Sequence, residues 1–257
     1  MKKILKRIKY YFSDPPSPAH DVRPYLRMPV PLAMLEGAAN DMERLFYGHV
    51  GRQSFKWHHY LEVYDRHLNR FRNTPVKIIE IGVQTGGSLQ IWRKYFGRDA
   101  IIFGIDIDKE CARFDNGDAK VRIGSQNDPI FLRNVISEMG GVDIVIDDGS
   151  HVAEHQKTSF ETLFPLLSNC GVYICEDLQT SYWKVYHNGG YKRTGTFIEV
   201  AKQLIDDMHA WYHDRPSVVT PNAEAKIFGI SFYDGIAVIE KREKERGYFS
   251  GMPPLER

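Results

Sequence analysis

The chain has 257 residues, of which 42% are hydrophobic and 26% are charged, and its formal net charge is +1. This balance is that of an ordinary soluble globule, and it gives no overall field that would favour nucleic acid as a partner. No apolar run is long enough to predict a membrane-spanning helix, and no segment resembles a secretory signal. The three cysteines show no paired spacing, which predicts reduced thiols and a cytoplasmic setting.

The first twelve residues, MKKILKRIKYYF, predict a basic amphipathic helix, and the proline-rich stretch 13–18 ends it. Apolar side chains share one face of this helix, and lysines and arginine occupy the other. Such a helix can lie on the anionic inner face of a membrane. It can equally pack against its own domain or a subunit partner, and the sequence leaves both interpretations open.

Residues 19–75 predict an extended arm followed by helices over 38–47 and 57–71, which together form a cover for a cofactor or substrate. Apolar and aromatic residues follow helical spacing in the second helix. Tyr60 and Tyr64 share its inner face. Their two interpretations are packing in the core and lining of a cofactor pocket.

From residue 76 onward, apolar strands alternate with helices, which predicts an α/β fold with a mostly parallel sheet and helices on both faces. The expected strands are 76–82, 100–107, 120–123, 143–146 and 171–175, and the expected helices are 89–96, 109–114, 130–139, the segment after 152, and 196–212. Two final runs, 225–233 and 236–241, flank Asp234 and Gly235, a hairpin signal. The prediction is a Rossmann-like sheet of seven strands with an antiparallel C-terminal hairpin strand, followed by a tail over 242–257.

A glycine-rich turn, EIGVQTGGS, runs from Glu80 to Ser88 between the first strand and a helix. Such a turn lets a ligand approach the backbone closely. It is not the dinucleotide fingerprint, because Gln84 stands where GxGxxG requires glycine. Asp106 ends the next strand, where a carboxylate can accept both hydroxyls of a ribose. The pattern therefore predicts a nucleotide-like cofactor.

Two further strands each end in a pair of carboxylates, Asp147 with Asp148 and Glu176 with Asp177, and His151 follows closely. Parallel strands end at the same edge of a sheet, so these side chains are expected to converge. Carboxylate oxygens suit Mg²⁺, which can activate a hydroxyl whose proton a histidine accepts. Helix capping is the alternative for Asp147 and Asp148, and an ordinary polar contact is the alternative for His151.

Taken together, Glu80, Gly82, Gly86 and Asp106 resemble the cofactor site of class I S-adenosylmethionine-dependent methyltransferases, over roughly residues 76–241. The resemblance implies that the glycine-rich loop faces the methionine end, that Asp106 binds the ribose and that loop 124–128 flanks the adenine. The cofactor-binding residues expected on this basis are Glu80, Gly82, Gly86, Ser88, Asp106, Ser125, Gln126 and Asp147, with Tyr60 and Tyr64 from the cover. Asp147 either contacts the cofactor or supports its neighbours.

The motif DDGSH followed by EDLQTSYW is similar to metal-dependent sugar O-methyltransferases of macrolide tailoring, of the mycinamicin type, and to the cephalosporin-hydroxylase-like family. The resemblance implies that Asp148, Glu176 and Asp177 bind Mg²⁺. It also implies that His151 is the general base. Tyr182 and Trp183 then stack on a sugar or a cofactor ring, unless they pack in the core.

The predicted function is Mg²⁺-dependent transfer of a methyl group from S-adenosylmethionine to a sugar hydroxyl of a natural-product glycoside or a surface-polysaccharide precursor. Two alternatives stay open. The acceptor can be a catechol-like aromatic diol, or the chain can be a non-catalytic cofactor-binding partner in a glycan-synthesis complex. A homo-oligomer is expected, and residues 1–12 are the candidate for peripheral membrane contact.

Overall fold

The computed structural model describes residues 32–186, 189–212 and 226–243, together with residues 249 and 251. The helix predicted over residues 1–12, the proline-rich break after it and the first part of the expected arm lie outside these residues.

Seven strands form one sheet. They are β1 (Lys77–Ile81), β2 (Ile101–Asp106), β3 (Lys120–Ile123), β4 (Val142–Asp147), β5 (Leu167–Cys175), β6 (Ile227–Tyr233) and β7 (Ile236–Lys241). Their order across the sheet is β3-β2-β1-β4-β5-β7-β6. The first five strands pair in parallel, and β7 runs antiparallel to both of its neighbours. The predicted α/β fold class is confirmed, and the antiparallel strand lies inside the sheet, one strand from the edge.

Helices connect and cover these strands. They are α1 (Leu32–Glu36), α2 (Asp41–Tyr47), α3 (His58–Leu68), α4 (Gly87–Phe96), α5 (Pro129–Met139), α6 (Ala153–Leu163) and α7 (Phe197–Met208). Short 3₁₀ turns include Lys109–Phe114, Leu178–Tyr182 and Ala210–Tyr212. The helix predicted over 196–212 therefore ends at Met208 and continues as a tighter turn.

Helix α5 shows why these segments fold locally as they do. The Asp128 side chain accepts hydrogen bonds from the backbone N–H groups of Ile130 and Phe131, and Pro129 occupies the first turn. Gly140 ends the helix in the left-handed conformation, with φ of 75°. An N-cap acceptor, an early proline and a final glycine are the signals that define a helix in sequence.

The sheet is buried on both faces, so its strands are almost continuously apolar. Because neighbouring side chains point to opposite faces, Ile78 packs with α3 and α4, whereas Ile79 packs with α5, α6 and α7. Both layers hold the loops at the carboxyl ends of β1, β2, β4 and β5 in place. The predicted site lies at this edge.

Candidate active site

Backbone pairing brings the predicted acidic residues together at the carboxyl edge of the sheet. The N–H of Asp148 donates to the carbonyl of Ile81 at 3.0 Å, and the N–H of Glu176 donates to the carbonyl of Asp147 at 3.0 Å. The loops after β1, β4 and β5 are therefore neighbours. Glu80, Asp148, Glu176 and Asp177 are called the acidic cluster below.

Asp148 and Asp177 form the outer face of the acidic cluster, and His151 lies beside them. The Nε2 atom of His151 lies 3.8 Å from Asp148 Oδ1 and 3.6 Å from Asp177 Oδ2. One potential ligand atom from each of the three residues lies within 4.8 Å of the others. The two carboxylates offer oxygens that suit a divalent cation, and the imidazole nitrogen beside them can accept a proton.

The backbone at this edge adopts conformations that side chains other than glycine rarely take. Gln84, His151 and Asp177 have φ values of 49°, 55° and 54°, and they follow β1, β4 and β5 respectively. Such conformations cost free energy and concentrate at functional sites. The Nδ1 atom of His151 is buried and has no hydrogen-bond partner among the described residues.

The inner face of the acidic cluster surrounds Lys56, which the sequence patterns did not single out. Its Nζ atom donates to Asp148 Oδ2 at 2.6 Å and to both Glu176 carboxylate oxygens at 2.9 Å. It also lies 3.8 Å from Glu80 Oε1. In the sequence, this lysine is marked only by its place between two aromatic residues, Phe55 and Trp57, two positions before α3 begins.

Burial and charge act in opposite directions on this group. Burial raises the pKa of Asp148 and of Glu176, and the neighbouring Lys56 ammonium offsets part of that increase. Burial alone would lower the pKa of Lys56, but Asp148 and Glu176 outweigh it and raise this pKa above its ordinary value. Lys56 therefore stays charged, and the cluster still holds more carboxylates than cations.

Helix α3 and its N-cap residue, Trp57, supply three aromatic donors to the same cluster. The Tyr64 hydroxyl donates to Glu176 Oε1 at 2.6 Å, and the Tyr60 hydroxyl donates to Asp177 Oδ1 at 3.1 Å. The Trp57 indole N–H donates to Asp177 Oδ1 at 3.0 Å. The tyrosine rings are buried in the core while their hydroxyls orient the carboxylates, so their contacts combine core packing with a place at the site.

The glycine-rich loop is positioned by close contacts of its own. Glu80 is fully buried and accepts a hydrogen bond from the Ser88 hydroxyl at 2.6 Å, while its Oε1 has no hydrogen-bond partner among the described residues. A Cβ atom at Gly82 would lie 2.0 Å from the Asp148 carbonyl oxygen, and one at Gly86 would lie 2.8 Å from the Phe114 ring. Both glycines have positive φ. They allow neighbouring loops to approach each other.

Asp106 lies at the end of β2, as predicted. Its Oδ2 accepts hydrogen bonds from the backbone N–H groups of Val83 at 3.0 Å and Gln84 at 2.9 Å. Its Oδ1 accepts from the N–H of Asp108 at 2.8 Å. In this structure Asp106 therefore holds the glycine-rich loop, and its contact with a ribose stays a prediction.

Asp147 and Gln126 lie beneath the site. Asp147 accepts hydrogen bonds from the Gln126 amide at 3.0 Å and the Tyr173 hydroxyl at 2.7 Å, and burial raises its pKa to about 6. The Gln126 carbonyl oxygen accepts from the N–H of Ser150 at 2.7 Å. These contacts match the supporting role of Asp147, and cofactor contact by either residue stays a prediction.

Three other predictions can be placed. Ser125 accepts a hydrogen bond from the N–H of Asn127 at 3.1 Å, within the loop after β3. Tyr182 is 47% exposed and Trp183 is half-buried. The ring that lies beside His151 is that of Tyr186, at 6.2 Å between centroids, and the sequence patterns did not single it out.

Helix α6 begins after Val152, and no side-chain hydrogen bond caps it there. The capping alternative for Asp147 and Asp148 is therefore wrong.

A sheet in this strand order, with a glycine-rich loop after β1 and carboxylates after β2, β4 and β5, defines a class I methyltransferase domain. No family model matches the chain. The chain is 38% identical over 226 residues to the 8-demethyl-8-(2-methoxy-alpha-L-rhamnosyl)-tetracenomycin-C 3'-O-methyltransferase of Streptomyces olivaceus. The matched region covers 84% of this chain and 57% of that relative. It is 36% identical over 208 residues to the mycinamicin VI 2''-O-methyltransferase of Micromonospora griseorubida. Here the matched region covers 76% of this chain and 50% of that relative.

A solved structure shows the same fold. The MycE methyltransferase from the mycinamycin biosynthetic pathway, in complex with Mg and SAH, matches with a TM-score of 0.73 at 32% identity, over 84% of this chain and 57% of that one. The chain belongs to the class I methyltransferase family, and the predicted resemblance to sugar O-methyltransferases of macrolide tailoring is confirmed. It spans about half the length of the curated relatives it matches.

Proposed function

We propose that this chain provides the catalytic domain of an S-adenosylmethionine- and Mg²⁺-dependent enzyme that methylates a sugar hydroxyl of a glycosylated natural product. The observation that carries this proposal is the convergence of Asp148, His151 and Asp177 beside the glycine-rich loop. The relatives support the reaction, since they are named as O-methyltransferases of rhamnosyl tetracenomycin and mycinamicin. The MycE structures support the cofactors, since they contain Mg and SAH.

The cofactor is assigned to the loop after β1 and to its neighbours. Glu80 fits this role because one of its buried oxygens lacks a hydrogen-bond donor among the described residues. We assign residues 76–241 to the methyltransferase domain, residues 19–75 to its cover and residues 242–257 to a tail. The cofactor-binding set proposed from the sequence is Glu80, Gly82, Gly86, Ser88, Asp106, Ser125, Gln126, Asp147, Tyr60 and Tyr64.

Asp148, Glu176 and Asp177 are the proposed Mg²⁺ ligands. Bound Mg²⁺ supplies a Lewis acid that lowers the pKa of a coordinated hydroxyl. His151 Nε2, the nitrogen that faces Asp148 and Asp177, accepts the proton of the sugar hydroxyl. The hydroxyl oxygen forms a bond to the methyl carbon as the carbon–sulfur bond breaks, which leaves S-adenosylhomocysteine. We assign Tyr182 and Trp183 to the acceptor side of the site.

An acceptor panel tests this proposal. The chain is incubated with S-adenosylmethionine, Mg²⁺ and one of three acceptors: a rhamnosyl glycoside, its aglycone or a catechol. We expect one added methyl group on the glycoside and none on the aglycone, measured by mass spectrometry. Methylation of the catechol alone would favour the aromatic-diol alternative. Cofactor binding without transfer to any acceptor would favour the non-catalytic alternative.

We further propose that residues 1–12 contact an anionic membrane surface, and that the chain works in the cytoplasm. The basic composition of the segment supports the first proposal, and the three free cysteines support the second. No helix in the described part of the chain is long and apolar enough to cross a membrane. Deletion of residues 1–12 should reduce sedimentation with anionic liposomes, and unchanged sedimentation would contradict the membrane proposal.

We also propose that the chain forms a homo-oligomer, with a sugar-containing molecule and no nucleic acid as its binding partner. The small net charge supports the exclusion of nucleic acid. Light scattering coupled to gel filtration measures the molar mass in solution. A mass equal to that of one chain at all concentrations would contradict the oligomer.

A further inference from the structure

We propose that Lys56 is a built-in cation that competes with the divalent ion for Asp148 and Glu176, and that it thereby sets the metal affinity of the site. The inference rests on the proposed function, because it concerns the same metal site. Its starting point is that one ammonium group contacts two of the three proposed ligands at hydrogen-bond distance.

Lys56 lies where it must interact with any ion bound by these ligands. Its Nζ atom contacts Asp148 Oδ2 at 2.6 Å and both oxygens of Glu176 at 2.9 Å. Only 5% of its side chain is exposed. A divalent ion that binds Glu176 therefore has to share those oxygens with the ammonium group or displace it.

The backbone around Lys56 fixes its position. The Arg52 guanidinium donates to the Gly86 carbonyl at 3.0 Å, and the Thr85 hydroxyl donates to the Gln53 carbonyl at 2.5 Å. On the other side, Trp57 donates to Asp177. Lys56 is thus held between the glycine-rich loop and the acidic cluster, unlike a surface lysine that is free to turn away.

The charges decide the direction of the effect. A dication at Asp148 and Glu176 would lie a few ångströms from the Lys56 ammonium, in a site largely removed from water. Repulsion between such charges in a protein is strong enough to change an affinity by more than tenfold. The opposite role is that Lys56 only positions the carboxylates, in which case its removal weakens metal binding.

The test measures binding of Mn²⁺ alone, from the electron paramagnetic resonance signal of the free ion. We expect Lys56→Met to bind Mn²⁺ at least about tenfold more tightly than the wild type. The matched control Lys94→Met changes an exposed lysine and should bind as the wild type does. Equal or weaker binding by folded Lys56→Met would overturn the inference.

A neutral residue at position 56 leaves buried carboxylates without their cation, so a second variant and a second measurement are included. Lys56→Gln keeps a hydrogen-bond donor and should also bind Mn²⁺ more tightly. If neither variant folds, the wild type is studied by nuclear magnetic resonance of its lysine Nζ atoms. Saturating Mg²⁺ should then shift the Lys56 signal and leave the Lys94 signal in place, and an unshifted Lys56 signal overturns the inference.

One more variant separates this inference from the proposed function. Asp177→Asn removes a proposed ligand of the metal. Among the described residues, the hydrogen bonds of Lys56 Nζ go to Asp148 and Glu176, and Asp177 accepts from Trp57 instead. We expect it to weaken Mn²⁺ binding. Unchanged Mn²⁺ binding by Asp177→Asn would overturn the metal assignment itself. Weakened binding by Asp177→Asn, with no gain in Lys56→Met, would overturn the competition alone.

Discussion

At the scale of single residues, the proposed chemistry depends on the orientation of the His151 ring. Its Nε2 atom faces both aspartates, at 3.8 Å from Asp148 Oδ1 and 3.6 Å from Asp177 Oδ2. Its backbone φ is 55°, a conformation that residues other than glycine rarely adopt. His155 lies four residues further on, in α6, and its Nδ1 atom is 2.8 Å from the Ser150 hydroxyl. The two histidines therefore have different surroundings.

The variant His151→Gln tests the assignment of the base. We predict that kcat falls by about 10²–10⁴-fold, since this is the usual contribution of a general base. Mn²⁺ should still bind, because the carboxylates remain. His155→Gln is the matched control and should keep the wild-type rate. A wild-type rate in His151→Gln would contradict the assignment.

The variant Tyr64→Phe tests whether the buried hydroxyl stabilises Glu176. Loss of a donor to a buried carboxylate costs about 1–3 kcal/mol, so we predict a decrease of that size in the free energy of unfolding, measured with urea. Tyr95→Phe is the control. The Tyr95 hydroxyl also donates to a carboxylate, that of Asp65 at 3.0 Å, but Asp65 is only half-buried. A loss in Tyr64→Phe no larger than that in Tyr95→Phe would contradict this role.

Residue types and spacing predicted that Asp148, His151, Glu176 and Asp177 would converge, but they could not predict Lys56 among them. Asp148, His151 and Asp177 follow strands whose apolar runs are plain in the sequence, and parallel strands bring their ends together. Lys56 contacts Asp148 and Glu176, which lie 92 and 120 positions further along the chain. No local pattern encodes such a contact, and the lysine lies in a segment without periodicity.

At the scale of elements, the strand ends and their loops form the site. The central strands were predicted to within a few residues because burial on both faces makes them continuously apolar. Strand β5 begins at Leu167, before the predicted 171, because Leu167 pairs with Val142 ahead of an irregularity in the ladder. Ser168 and Asn169 interrupt the apolar run there, so the sequence pattern is lost.

The variant Gly82→Ala tests the close approach of the loops after β1 and β4. A Cβ atom at this position would collide with the Asp148 carbonyl, and φ is 97°. We predict a loss of about 2–4 kcal/mol in the free energy of unfolding. In the control Gly117→Ala, no heavy atom lies within 4 Å of the added Cβ, and the change should stay within about 0.5 kcal/mol. Equal stability of the two variants would contradict the close approach.

At the scale of the whole molecule, distant parts of the chain meet at one edge of the sheet. The Tyr60 hydroxyl in α3 shares its single proton between Asp177 Oδ1 at 3.1 Å and the Gly235 carbonyl at 2.8 Å, in the hairpin turn between β6 and β7. The hairpin was predicted from Asp234 and Gly235. Its insertion beside β5 was not, because a hairpin signal specifies a turn and not the strand with which it pairs. The proposed site therefore combines the cover, the parallel strands and the terminal hairpin.

The central claim is that this edge of the sheet binds a divalent cation that activates a sugar hydroxyl for methylation. The most direct measurement is the rate of methyl transfer from S-adenosylmethionine to a rhamnosyl glycoside as a function of free Mg²⁺. The rate should fall to background in EDTA and return along a saturable curve as Mg²⁺ is restored. A full rate of methyl transfer in EDTA would contradict the claim.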